Sequence, residues 1–194
     1  YVDRSGCDGM KYKSVIAGAS SIHHNYVTNT GLIDHGNDTG CTSNGIILFE
    51  AGYTDVYNNY VESPSPVSTG TGACITQVVS NLPASKVAAV PTRFFNNVVT
   101  NCKGNGIAST RSSSTLAAPQ PTIFNNTVVA PIGGTGILVG SQVNSCSVRD
   151  NILAGESLSA GSCTQSKNLV GTVDSQRFEN AASKDFRLSE LSPA

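Results

Sequence analysis

An asparagine followed by two largely apolar residues returns six times along this chain: Asn25-Tyr26-Val27, Asn59-Tyr60-Val61, Asn97-Val98-Val99, Asn126-Thr127-Val128, Asn151-Ile152-Leu153 and Asn168-Leu169-Val170. Between the copies runs a second phrase, glycine and then an apolar stretch: Gly45-Ile46-Ile47-Leu48, Gly72-Ala73-Cys74-Ile75, Gly106-Ile107 and Gly136-Ile137-Leu138-Val139. Self-similarity over tens of residues fixes architecture before any local reading does. Successive asparagines lie 34, 38, 29, 25 and 17 residues apart. Stacked helical repeats tolerate little change in length, so this irregular period excludes them. A coil of short strands, joined by loops free to swell or shrink, accommodates it.

Aligning the copies on the asparagine separates an inside from an outside. Three positions before it stand Ile22, Val56, Phe94, Ile123, Val148 and Gln165; two after it stand Val27, Val61, Val99, Val128, Leu153 and Val170. These nearly unbroken apolar columns are expected to face a core. The asparagine itself is expected at the corner, where its tolerance of left-handed backbone suits a bend. Amides stacked at the strand spacing of about 4.8 Å can also bond to one another as a ladder. Only 13% of residues are charged, against about a quarter in ordinary globular proteins. Gly, Ser, Thr, Asn and Val dominate, which favours strands and turns over helices.

Two or three short strands per turn, inward apolar columns and an asparagine corner describe a parallel β-helix. A β-sandwich is the competing all-β reading, but antiparallel, half-exposed strands do not reproduce one column order six times. The phrase Ile123-Phe124-Asn125-Asn126-Thr127-Val128, followed by Gly134-Thr135-Gly136-Ile137, resembles right-handed parallel β-helix proteins of the pectate-lyase-like superfamily. Asp185-Phe186-Arg187-Leu188 and Ser192-Pro193-Ala194 are similar to the segment closing many bacterial members, where an Ile/Val-Asp-x-Gly stretch absent here usually follows. The resemblance covers about residues 5 to 194. It implies a right-handed solenoid of about six coils over residues 1–173, with 174–194 lying against its flank or end. It also implies a surface on which relatives bind or cleave polysaccharide.

Cys146 and Cys163 both fall five residues before their asparagines, so the coil stacks them within disulfide range. Cys7 and Cys41 precede glycine strands on neighbouring coils and could pair likewise, Cys74 and Cys102 then remaining by elimination; the sequence leaves the pairing beyond Cys146–Cys163 open. Six cysteines without CxxC or a Cys/His cluster favour bridges over zinc, and bridges place the chain outside the reducing cytosol, secreted or at a cell surface. A net charge of −1 gives no case for nucleic acid. No apolar run reaches the roughly 20 residues of a membrane span. Insertions at 78–91 and 112–121 are expected to emerge on one side of the coil. The phrase Gly9-Met10-Lys11-Tyr12-Lys13 reads as a full coil position with nothing ahead of it to cap it. An uncapped solenoid end is an open sheet edge, and head-to-tail contact through such edges builds filaments.

The chemical inventory is thin. A uronate lyase needs a base and a cation beside the substrate carboxylate. Lys11, Lys13 and Arg111 are candidate bases, and Asp34, Asp38 and Glu50 are candidate calcium ligands, although Asp34-His35-Gly36-Asn37-Asp38 fits no calcium loop. No cofactor is otherwise expected. A hydrolase would need facing carboxylates, and none are paired. His23 and His24, adjacent on a strand, are expected to point opposite ways. Two residues before the first five asparagines stand His23, Tyr57, Phe95, Phe124 and Arg149, an outward aromatic strip fit for sugar faces, a partner subunit or the chain's own cover. Asn37 and Asn125 begin N-glycosylation patterns. Two classes stay open: a structural subunit associating through coil ends, and a polysaccharide-binding or polysaccharide-cleaving protein.

Overall fold

Three parallel sheets, wound as a right-handed β-helix, account for nearly every strand of the computed structural model, which describes residues 1–3, 8–13, 18–30, 44–62, 72–129 and 134–193. Each turn uses one strand from each sheet. Sheet B is built from the glycine phrases: Met10–Lys13, Ile46–Phe49, Ile75–Val79, Ile107–Arg111, Ile137–Val139 and Leu158–Ser159. Sheet C leads into the asparagines: Ser20–His23, Thr54–Tyr57, Ala89–Phe95, Ala118–Phe124, Ser147–Arg149 and Thr164–Ser166. Sheet A leaves them: Tyr26–Thr28, Tyr60–Glu62, Val98–Thr100, Thr127–Val129, Ile152–Ala154 and Leu169–Gly171, with Val2–Asp3 paired ahead of the first. The described residues thus make six turns of three strands, and the all-parallel pairing removes the sandwich alternative.

Register explains why a varying period still yields a regular core. Val27, Val61, Val99, Val128 and Leu153 align strand to strand in sheet A, as Ile22, Val56, Phe94, Ile123 and Val148 do in sheet C. From Val56 to Val148 and from Val27 to Leu153 these side chains are fully excluded from solvent. Sheet B supplies the third wall through Ile46, Ile75, Ile107 and Ile137. Length differences are absorbed in the turns, where they change no register. The glycine ahead of sheet B has a steric cause: a Cβ on Gly106 would stand 2.5 Å from Val128 Cγ1 and from the Gly136 carbonyl. In the turn before Ile75 the residue stacked on Gly45 and Gly106 is Cys74, not Gly72. Its side chain leaves for Cys102, with the two Cα atoms 5.4 Å apart.

Cys146 and Cys163 are also bridged, with Cα atoms 4.7 Å apart, as strand stacking requires. Cys7 and Cys41 lie outside the described residues. One polar side chain is built into the core. Gln77 Nε2 donates to the Ala51 and Val90 carbonyls and to Thr92 Oγ1, and its Oε1 accepts from Ser109, so a fully buried amide is satisfied.

The two insertions do emerge together, though each is partly strand. Ala89–Pro91 pairs with Ala118–Gln120, extending two sheet C strands to seven residues. The remaining loops lean on each other through Pro83 and Leu116, over a small cluster of Val79, Val90 and Ala117. After Gly171 a short helix, Val173–Gln176, contacts the sheet A strand Ile152–Ala154. An antiparallel hairpin follows, Phe178–Asn180 with Asp185–Leu188. Its turn sends Lys184 Nζ to Glu62, at 2.7 and 2.9 Å from the carboxylate oxygens. The tail therefore runs back along sheet A over four strand spacings, about 19 Å. Among the described residues no helix is long and apolar enough to cross a membrane.

Candidate functional site

The asparagine corners join sheets C and A by side-chain bonds. Asn59 Nδ2 donates to Asn97 Oδ1 at 2.9 Å, Asn97 to Asn126 at 3.0 Å, Asn126 to Asn151 at 3.0 Å and Asn151 to Asn168 at 2.9 Å, with Asn25 to Asn59 at 3.0 Å opening the series. Each receiving oxygen also accepts the backbone N–H of the preceding asparagine. The left-handed bend is not at these residues, as the sequence reading expects. It falls one position earlier, at His24, Asn58, Asn96, Asn125, Asp150 and Lys167, with φ between 51° and 55°. Labour is divided at the corner: one residue takes the positive φ and the next turns inward to bond. The doublets Asn58-Asn59, Asn96-Asn97 and Asn125-Asn126 carry that signal in the sequence.

This bend overturns the expectation for the histidines. Alternation holds within a strand, but His24 has left it at φ 54°. Both rings stand outside, with Nδ1 atoms 2.7 Å apart. His23 stacks on Tyr57, ring centroids 4.8 Å apart and planes 16° from parallel. Tyr57 stacks on Phe95 and Phe95 on Phe124, at 4.8 and 5.0 Å, and the Arg149 guanidinium lies 4.6 Å from the Phe124 centroid. The strip is thus one continuous pile, half-buried by its own members from Tyr57 to Arg149. Both faces of Tyr57, Phe95 and Phe124 are covered by neighbours, and only ring edges meet solvent. A sugar stacks on a ring face, so the pile offers it little. A second pile, Tyr1–Tyr26–Tyr60, follows the asparagines at 5.5 and 4.8 Å. Sequence reasoning missed it, although Tyr26 and Tyr60 share one column.

The catalytic candidates do not converge. Lys11 and Lys13 flank Phe49, their ammonium groups 5.3 and 5.6 Å from its centroid. Arg111 lies three sheet B strands from that pair, about 14 Å away. Its Nη1 donates to the Leu116 carbonyl of its own loop at 3.1 Å. The Glu50 carboxylate is engaged by its own chain: it accepts the N–H groups of Ser80, Asn81 and Leu82 and the Ser80 hydroxyl, pinning the first insertion. Asp34, Asp38 and Asn37 lie outside the described residues. Asn125 is exposed at a left-handed corner.

A cleft of about 300 Å³ opens between sheet B and the first insertion, lined by Lys13, Phe49, Asn81, Leu82, Pro83 and Lys86 beside Glu50. On the opposite flank, Glu62 receives Lys184, Asn101 and the Tyr60 hydroxyl. Burial pushes the Glu62 carboxyl upward, but the bonds from Lys184 and Asn101 outweigh it and hold the group below its usual value. Burial, then the charge of Glu62, pushes the Tyr60 phenol well up. Compared with family profiles, curated proteins and solved structures, the chain matches none.

Proposed function

We propose that this chain is an extracellular structural β-helix, built on the pectate-lyase-like plan, that associates end to end. One observation carries the reading. The sheet A column is wholly excluded from solvent from Val27 to Leu153, yet its last member, Val170, is 49% exposed. Gln165, in the last position of the sheet C core column, is exposed as well. The tail runs back along the flank to Glu62 instead of covering this end. Three parallel strand edges then surround an open end floored in part by Val170 and Gln165, and such edges are a template for another coil. At the opposite end Met10 and Tyr12 are only half-buried. Docking of one end on the other is heterologous and propagates into rods. Sedimentation across a concentration series, with electron microscopy, tests it: the 194-residue chain should form rods that lengthen with concentration, and Val170→Lys should shorten them without lowering resistance to urea. A chain that stays monomeric throughout refutes the reading.

A second reading rests on the cleft beside Phe49. Lys13 and Lys86 supply positive charge there, and the carboxylate of Glu50 is already engaged by the loop. An acidic saccharide is the ligand this chemistry suits. Retention on immobilised polyuronate, lost in Lys13→Ala with Lys86→Ala, supports it; equal retention by parent and variant removes it.

A further inference from the structure

We propose that His23 and His24 form a chelating site for a divalent transition-metal ion of tetragonal preference, copper(II) above all. The proposal is independent of the structural role argued above and of the saccharide cleft. It stands on the geometry of the first corner. His23 ends its sheet C strand facing outward, and its ring is held parallel to Tyr57 at 4.8 Å. Its carbonyl accepts Asn25 Nδ2 at 2.9 Å, fixing the backbone between the two histidines. His24 occupies the left-handed position, which swings its ring to the same side, 86° from the plane of His23. The two Nδ1 atoms come to 2.7 Å, and both rings are solvent-exposed.

Two imidazoles at that distance share one proton between facing nitrogens, and a metal ion can replace it by standing about 1.5 Å to the side of the line joining them, each exposed ring turning its lone pair toward the ion. With metal–nitrogen bonds of about 2.0–2.1 Å, nitrogens 2.7 Å apart subtend about 80–85° at the metal. That is a cis pair of a square-planar or tetragonal ion. Tetrahedral zinc would need the nitrogens about 3.3–3.4 Å apart, so the spacing present suits the tetragonal ion better and adds to the intrinsic order that puts copper(II) first. The protons balance. Before binding, one ring is protonated at Nδ1 and the other at Nε2; afterwards both are protonated at Nε2, the first proton having moved through solvent, and both Nδ1 lone pairs face the metal. The His24 Nε2 lies 3.5 Å from the Asn58 side-chain amide. Rotating that amide presents its oxygen to the new N–H, the kind of outer contact that fixes a ligating ring. Water completes the coordination.

The chain has three histidines, so the experiment is done on the folded full chain carrying His35→Gln, where only this pair remains. Copper(II) is titrated by calorimetry and the complex examined by electron paramagnetic resonance. One ion per chain is expected, with hyperfine splitting from two imidazole nitrogens and weaker binding of zinc. His23→Phe keeps a ring on Tyr57, and His24→Asn keeps a residue suited to positive φ. Each should leave the melting temperature unchanged and lower copper affinity on the order of 10–100-fold or more, since even outer-shell losses cost that much. Unchanged affinity in both variants, a one-nitrogen spectrum, or zinc bound as tightly as copper overturns the assignment.

Discussion

Replacing Asn97 by alanine puts the corner ladder to its severest test, because every bond of that side chain is internal. Asn97 is 1% exposed. Its Oδ1 accepts the Asn59 backbone N–H at 3.1 Å and Asn59 Nδ2 at 2.9 Å; its Nδ2 donates to Asn126 Oδ1 at 3.0 Å and to the Val56 carbonyl at 2.9 Å. Truncation strands the Asn59 N–H away from water, which costs about 1–3 kcal/mol. The other three bonds are lost less completely. Asn59 Nδ2 keeps the Ile22 and Tyr57 carbonyls, and Asn126 Oδ1 keeps the Asn97 N–H. At about 0.5–1.5 kcal/mol for each full loss and about half of that for a partial one, the whole comes to about 2–5 kcal/mol. Asn25 is half-buried at the first corner and donates only to Asn59 and to the His23 carbonyl, so Asn25→Ala should cost about 1 kcal/mol. Urea unfolding measures both, with an unchanged slope confirming that the same surface is exposed. Equal costs at the two positions, or a loss below about 1.5 kcal/mol at Asn97, would refute the ladder as a source of stability. Asn97→Asp extends the logic: its carboxylate faces Asn126 Oδ1 with no proton to give, so its folded-state pKa rises above the unfolded value. Its deficit against the parent should grow as pH rises through that raised pKa and shrink below it.

Other outcomes follow from the pile of rings and from the tail. Tyr57→Ala with Phe124→Ala deletes the four stacking contacts that link His23 to Arg149, each worth about 0.5–1.5 kcal/mol. The double variant should lose at least about 2 kcal/mol in urea while any retention on polysaccharide stays as in the parent; lost retention with unchanged stability would restore the sugar-binding strip. The Lys184–Glu62 clamp should respond to acid. Glu62 is held below its ordinary value by Lys184 and Asn101 against the opposing push of burial. Its contribution is therefore complete above the usual carboxylate range and disappears as pH falls through the lowered value. Lys184 is half-exposed, so the pair is worth less than about 1 kcal/mol. Protection factors of residues 172–193, each corrected for the intrinsic exchange rate at its pH, should fall on acidification in the parent more than in Glu62→Gln, and identical profiles would refute the clamp.

The inward columns were legible in the sequence because a solenoid asks the same thing of each turn: Val61, Val99 and Val128 meet one environment and are one residue type. Cys146 and Cys163 were legible for the same reason, their common offset from an asparagine being a distance in space. The corner itself was misread. A bend and a buried amide both favour asparagine, and in Asn58-Asn59 the two demands fall on neighbours, so one letter hid two roles. The error carried over to His24, which was assigned strand alternation at the place where the strand stops. Gln77 was invisible for another reason. Its position is apolar in the preceding turn, where Leu48 stands, and an amide fits because the fold gathers the carbonyls of Ala51 and Val90 with the hydroxyls of Thr92 and Ser109 around it. Glu50 likewise reads as a loose acid until the insertion wraps its N–H groups around it.

The same stacking that makes this coil stable decides which of its surfaces are left for function. Along sheet C the ring faces are consumed from His23 to Arg149, and along the corner the amides consume one another. A side chain whose bonding capacity is met by its own copy one turn away has nothing left to offer a ligand. What remains lies where repetition breaks. At the C-terminal end of the described coil, Val170 is 49% exposed. At the first insertion, a loop lifts Lys86 toward Lys13. At the first corner, a histidine replaces the asparagine or aspartate that most other corners use, and it meets a second histidine that begins the ring pile. Each break costs the coil a repeat contact, and each leaves a side chain facing outward. A search for activity in this chain is therefore best directed at departures from the repeat, since the repeat itself is already spoken for.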